Sequence, residues 1–126
     1  MLTDKIFELS APYDNPYQGT DHRALFVCSA GILRSATMAN YYAKKGWNTR
    51  SAGSHEYALI PVSANLLAWA DQIYFVNQEN FLAVMDVWGN SEFTDKLKKA
   101  IVLDIPDNYE YNNAKLLKII VEQMDE

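Results

Sequence analysis

Four short strand-like runs, Ala24–Val27, Asn48–Ala52, Gln72–Val76 and Ala100–Leu103, alternate along the chain with segments of helical character. Each return from one strand to the next passes through a helix, and that alternation implies parallel pairing with helices on both faces of the sheet. The expected fold class is therefore α/β: a four-stranded parallel sheet flanked by helices in three α/β/α layers. Gln72-Ile73-Tyr74-Phe75-Val76 reads as a strand buried on both faces.

The helical segments carry their own punctuation. Ser35 to Lys45 is ended by Gly46, and Pro61 suits the first turn of a helix running to about Ala70. Asn77 can cap a helix from Gln78 to Trp88, which Gly89 and Asn90 break before a short helix over Ser91–Lys99. Asn112 or Asn113 caps a last helix with an apolar stripe of Leu116, Leu117, Ile120, Val121 and Met124.

A length of 126 residues suits one domain, with residues 1–22 as an N-terminal extension and 23–126 as the folded unit. The extension includes a turn-rich arm from Ser10 to Thr20. The longest apolar stretch, Tyr57 to Val76, is interrupted by Pro61, Asn65 and Asp71, so no membrane span is expected. Met1 to Ser10 lacks a signal-peptide pattern. One cysteine cannot form an internal disulfide, which fits a reducing, cytoplasmic setting. The net charge of −5 argues against nucleic acid as a partner. Lys96, Lys98 and Lys99 read as a solvated helix face.

In parallel sheets ligands bind beyond the carboxyl ends of the strands. Two loops fall on that edge. The first is Cys28-Ser29-Ala30-Gly31-Ile32-Leu33-Arg34-Ser35, between the first strand and the first helix. Unpaired N–H groups and the dipole at a helix amino end favour an anion there. Arg34 can clamp that anion bidentately, and Ser29, Ala30, Gly31, Ile32 and Leu33 supply backbone donors around it. Thiols at helix amino ends beside cations react as thiolates, so Cys28 suits nucleophilic attack on phosphorus. Ser35 could donate to the sulfur and ease its later departure. A lone cysteine ending a strand is otherwise a small buried hydrophobe; Arg34, Gly31 and Ser35 at these spacings favour chemistry. The second loop, Asp104 to Tyr111, offers carboxylates that could protonate a leaving oxygen. His22 and His55 are too isolated to suggest a metal site, and no cofactor is expected.

Taken together, these motifs resemble the low-molecular-weight protein tyrosine phosphatases, particularly compact bacterial members, over roughly residues 24–124. The resemblance implies a phosphatase I-like three-layer fold, with Cys28 as nucleophile, Arg34 as oxyanion clamp and Ser35 beside the thiolate. Arg50-Ser51-Ala52-Gly53 resembles the family's second-strand motif, and Trp69-Ala70-Asp71-Gln72-Ile73-Tyr74 its third-strand entry. Ile105-Pro106-Asp107-Asn108-Tyr109 resembles its acid loop, which implies Asp107 as general acid with Asp104 in reserve. Tyr57 and Tyr109 would wall the substrate pocket. The chain departs from the family where Ala30-Gly31 replaces Gly-Asn, removing a loop-bracing side chain. Leu33 replaces a second cysteine, Ala36 and Asn108 replace prolines, and Asn80 stands where many relatives carry a histidine.

The implied activity is metal-independent hydrolysis of a phosphomonoester, from a phosphotyrosine protein or a small aryl phosphate, through a phosphocysteine. A phosphocysteine carrier of the sugar phosphotransferase type shares the strand-and-cysteine pattern but lacks the arginine and the acid loop. A thiol-cascade arsenate reductase needs further cysteines. A non-catalytic phosphoanion-binding module is the remaining alternative.

Overall fold

The computed structural model describes residues 22–30 and 33–125. Gly31 and Ile32, and all of the extension except His22, lie outside the described residues. Strands β1 (Arg23–Cys28), β2 (Asn48–Gly53), β3 (Gln72–Phe75) and β4 (Ile101–Val102) form one all-parallel sheet in the order β2-β1-β3-β4. Helices α1 (Arg34–Ala43) and α5 (Ala114–Met124) cover one face; α2 (Ala64–Trp69), α3 (Gln78–Trp88) and α4 (Thr94–Lys98) cover the other. This is the three-layer α/β/α architecture that the alternation of runs implied.

Successive strand residues point to opposite faces, and β1 shows the consequence. Leu25 and Val27 enter the core beneath α2 and α3 with Leu66, Ile73, Phe75 and Val84. Ala24, Phe26 and Cys28 enter the core beneath α1 and α5 with Met38, Ala39, Leu116 and Ile120. Cys28 therefore points toward α1. From β1 the chain goes outward to β2, then returns to β3 on the other side of β1. The carboxyl end of β1 is thus the switch point of the sheet, where crevices form in open α/β folds.

An aromatic cluster closes the opposite end. Phe26 stacks near Tyr42, Trp47 and Tyr74, and the His22 ring meets Trp47 edge-on while its Nε2 is 3.0 Å from the Tyr74 hydroxyl. Burial, with the nearby Asp125 carboxylate adding to it, pushes the Tyr42 phenol up to about 12. Burial also raises the Tyr74 phenol. Among the described residues, no helix is long and apolar enough to cross a membrane.

Two local expectations change. Pro61 does not open α2; it pairs in a parallel bridge with Gly53, and the helix starts at Ala64 under a Ser63 cap that accepts from Leu66 N–H. The helix starts where Ser63 supplies a side-chain oxygen for a first-turn N–H, and Pro61, two residues earlier, is taken up by the pairing with Gly53 instead of a helical turn. Lys96 is no solvated charge: its Nζ donates to the carbonyls of Leu67 and Ala70, both at 2.7 Å, capping the carboxyl end of α2. Positive charge there opposes the negative end of the helix dipole.

Candidate active site

Helix α1 begins immediately after the loop, and its cap residue Leu33 offers no side-chain acceptor. The first-turn N–H groups are therefore left at the loop rather than capped by a side chain. Within the loop Cys28 and Ser35 are both buried, and their Sγ and Oγ atoms stand 3.0 Å apart. The hydroxyl is placed to donate to a sulfur anion. Such charge-assisted bonds favour the charged partner.

The second half of the site comes from the far end of the chain. Leu103 N–H and Ile105 N–H donate to the carbonyls of Phe75 and Val76, extending the sheet pairing past β4. That extension carries the acid loop over α1. Arg34 Nη1 donates to Ile105 O at 3.1 Å, and Arg34 Nε lies 3.5 Å from Asp107 Oδ1. The guanidinium stem is 4% exposed and the carboxylate 73%, so the pair joins a fixed buried cation to an acid open to solvent. A guanidinium has five N–H donors, so these two partners leave others over for an anion. The far end of the acid loop is tied as well: Asn112, at φ 59°, donates its N–H to Thr37 Oγ1 of α1 at 2.9 Å.

Asp104 sits differently. Its backbone N–H and carbonyl both bond to the Gln123 side chain of α5, at 2.7 and 2.6 Å, and its carboxylate is exposed. Asp107 is the carboxylate that reaches the cysteine loop. Tyr109 is half-buried and packs against the cluster containing Cys28. Tyr57 is 72% exposed and stacks on His55, with ring centroids 4.9 Å apart. The His55 N–H donates to Ser29 O at 3.2 Å, which sets this ring pair beside the loop.

Arg50, prominent in the second-strand motif, is buried in the sheet and lies over the Trp69 ring; burial lowers its guanidinium to about 10. It serves packing and does not line the site. Asn80, which in the sequence stands out only as a departure from the family pattern, is 1% exposed and donates to both Ser29 Oγ and Ser54 Oγ. Its polar type inside a helix that is otherwise apolar toward the sheet was the signal available. Among the described residues, no three His, Cys, Asp or Glu side chains converge as metal ligands would. Cys28, Ser29, Ala30, Leu33, Arg34, Ser35 and Asp107 share one edge of the sheet, while His22 lies at the opposite end.

A scan of protein-family models, a search of curated proteins and a search of solved structures each returned no match to the chain.

Proposed function

We propose that this protein is a cysteine-dependent phosphatase of the low-molecular-weight tyrosine phosphatase type, acting on aryl phosphomonoesters such as phosphotyrosine. The observation that carries the reading is the 3.5 Å approach of Asp107 to Arg34, which brings an exposed acid to the loop holding Cys28 and Ser35. An anion site alone would need the loop; it would have no use for a carboxylate at its mouth.

The reaction runs in two displacements. Loop N–H groups and Arg34 hold the phosphoryl dianion, and Cys28 Sγ attacks phosphorus in line. The S–P bond forms as the P–O bond to the leaving phenol breaks, and Asp107 gives its proton to that oxygen. A bound dianion competes with Asp107 for Arg34 and so frees the carboxyl to face the leaving oxygen. Water then attacks the phosphocysteine and gives a proton back to Asp107; the S–P bond breaks and inorganic phosphate leaves. The Ser35 hydroxyl, 3.0 Å from Sγ, stabilises the departing thiolate. Tyr57 and Tyr109 flank the aryl group. Residues 23–126 form the catalytic domain, and a lone cysteine, which can close no internal disulfide, suits a cytoplasmic protein.

The test is hydrolysis of p-nitrophenyl phosphate by the wild type and Cys28→Ser with a chelator present. Turnover that survives the chelator and vanishes in the variant supports a metal-independent cysteine phosphatase. A folded wild type that binds phosphate without turnover would instead make the chain a phosphoanion-binding module.

A further inference from the structure

The loop after β1 is held by backbone pairing from one side. Ser54 N–H donates to Cys28 O at 2.7 Å and His55 N–H to Ser29 O at 3.2 Å, so the β1–β2 ladder continues past both strand ends. Neither bond fixes a side chain of the loop. Asn80 does. It is the third residue of α3, and its own N–H donates to the Asn77 cap at 3.2 Å, which sets the turn that carries it. From there Nδ2 donates to Ser29 Oγ at 3.1 Å and to Ser54 Oγ at 3.0 Å, spanning 51 and 26 residues of chain.

Asn80 is 1% exposed, and among the described residues its Oδ1 has no partner. Buried amides are normally placed where both ends are satisfied. Here the chain tolerates one unsatisfied acceptor to keep both N–H donors on two serines, Ser29 within the loop and Ser54 just past β2. Bonds to such distant positions hold the loop in place.

We infer that Asn80 is a positioning residue for the cysteine loop, supplying from α3 the brace that Ala30-Gly31 does not supply from within. It fixes the Ser29 hydroxyl, and through it the turn after Cys28, and so the aim of Sγ and of the loop N–H groups. The kinetic consequence rests on the phosphatase reading; the positioning does not, because Cys28 is the only cysteine and reports on the loop directly.

The experiment compares wild type, Asn80→Ala, Ser29→Ala and the double variant by the pH profile of Cys28 alkylation with iodoacetamide, alongside thermal unfolding. Asn80→Ala is expected to change the alkylation rate by about threefold or more and to lower kcat/KM on p-nitrophenyl phosphate by roughly 10–100-fold. The double variant should be no worse than the worse single one, since both remove the same tether. Should Asn80→Ala not fold, the pair Ser29→Ala and Ser54→Ala carries the same cycle through single hydroxyl deletions. An unchanged alkylation profile, strictly additive effects, or an effect confined to the melting temperature would overturn the inference. If the wild type hydrolyses nothing yet alkylation shifts, the phosphatase reading falls and the positioning role stands. If the wild type is active and Asn80→Ala is indifferent in both assays, the reverse holds.

Discussion

Gly53→Ala is the sharpest single-atom probe of how the cysteine loop is seated. Gly53 ends β2 directly opposite Cys28 in the parallel register. A Cβ there would press into the Ala58 methyl and stand 2.6 Å from Ser29 O and 2.9 Å from the Ala30 carbonyl carbon. The closer backbone contact is about 0.8 Å short of ordinary van der Waals separation. Backbone cannot swing aside as a flexible side chain can, so the loop itself must retreat. Overpacking of this kind costs about 1–3 kcal/mol, which lowers the melting temperature by roughly 3–15 °C for a domain of this size. Moving the loop by most of an ångström should reduce kcat/KM on p-nitrophenyl phosphate by about 100-fold. Gly89→Ala is the control: its Cβ would collide with Met85 O at the far end of α3, so it should cost stability and leave the rate alone. Full activity in a folded Gly53→Ala, or an equal loss in Gly89→Ala, would refute the claim that β2 seats the loop.

Two further outcomes follow from other parts of the structure. Asp107→Asn should slow hydrolysis by about 10²–10⁴-fold for an alkyl or phenyl leaving group, and much less for p-nitrophenolate, which needs little protonation; equal losses across leaving groups would remove Asp107 as the acid. The Tyr42 phenol, raised from 10.0 to about 12, stays protonated in the folded state at a pH where the unfolded chain has lost that proton. Its stabilising effect is complete below pH 10 and is lost as pH rises toward 12, by up to about 1.4 kcal/mol per pH unit. Melting temperatures between pH 9 and pH 11 should fall, and Tyr42→Phe should flatten that fall; an unaltered slope in the variant would contradict the assignment.

The parts of the site that were legible in the sequence are those whose causes are local. A strand, a glycine-containing loop and a helix start are contiguous from Ala24 to Ala43, so Cys28, Arg34 and Ser35 could be set together from spacing alone. The Asn77 cap was equally readable, because its acceptor and donor are three residues apart. What was not legible depends on contacts across the sheet. Lys96 looks like one of three surface charges until the fold brings the carboxyl end of α2 against it, from 26 to 29 residues away. Asn80 acquires its role only when β1 and β3 become neighbours and its amide reaches Ser29. Asp104 and Asp107 sit in one polar loop, and only Asp107 meets Arg34 once Gln123 has claimed the backbone of Asp104. Pro61 misled because a proline suits both a helix start and the end of a strand pairing.

The central claim is that Cys28 carries the phosphoryl group during turnover. Stopping the reaction with denaturant while p-nitrophenyl phosphate is still being consumed, then mapping peptides by mass spectrometry, tests it most directly. A phosphocysteine mechanism predicts a single phosphoryl group on the peptide containing Cys28, more abundant in Ser35→Ala because thiolate departure is slowed, and absent in Cys28→Ser. Turnover with no phosphorylated protein, or with the phosphoryl group on any other residue, would contradict it.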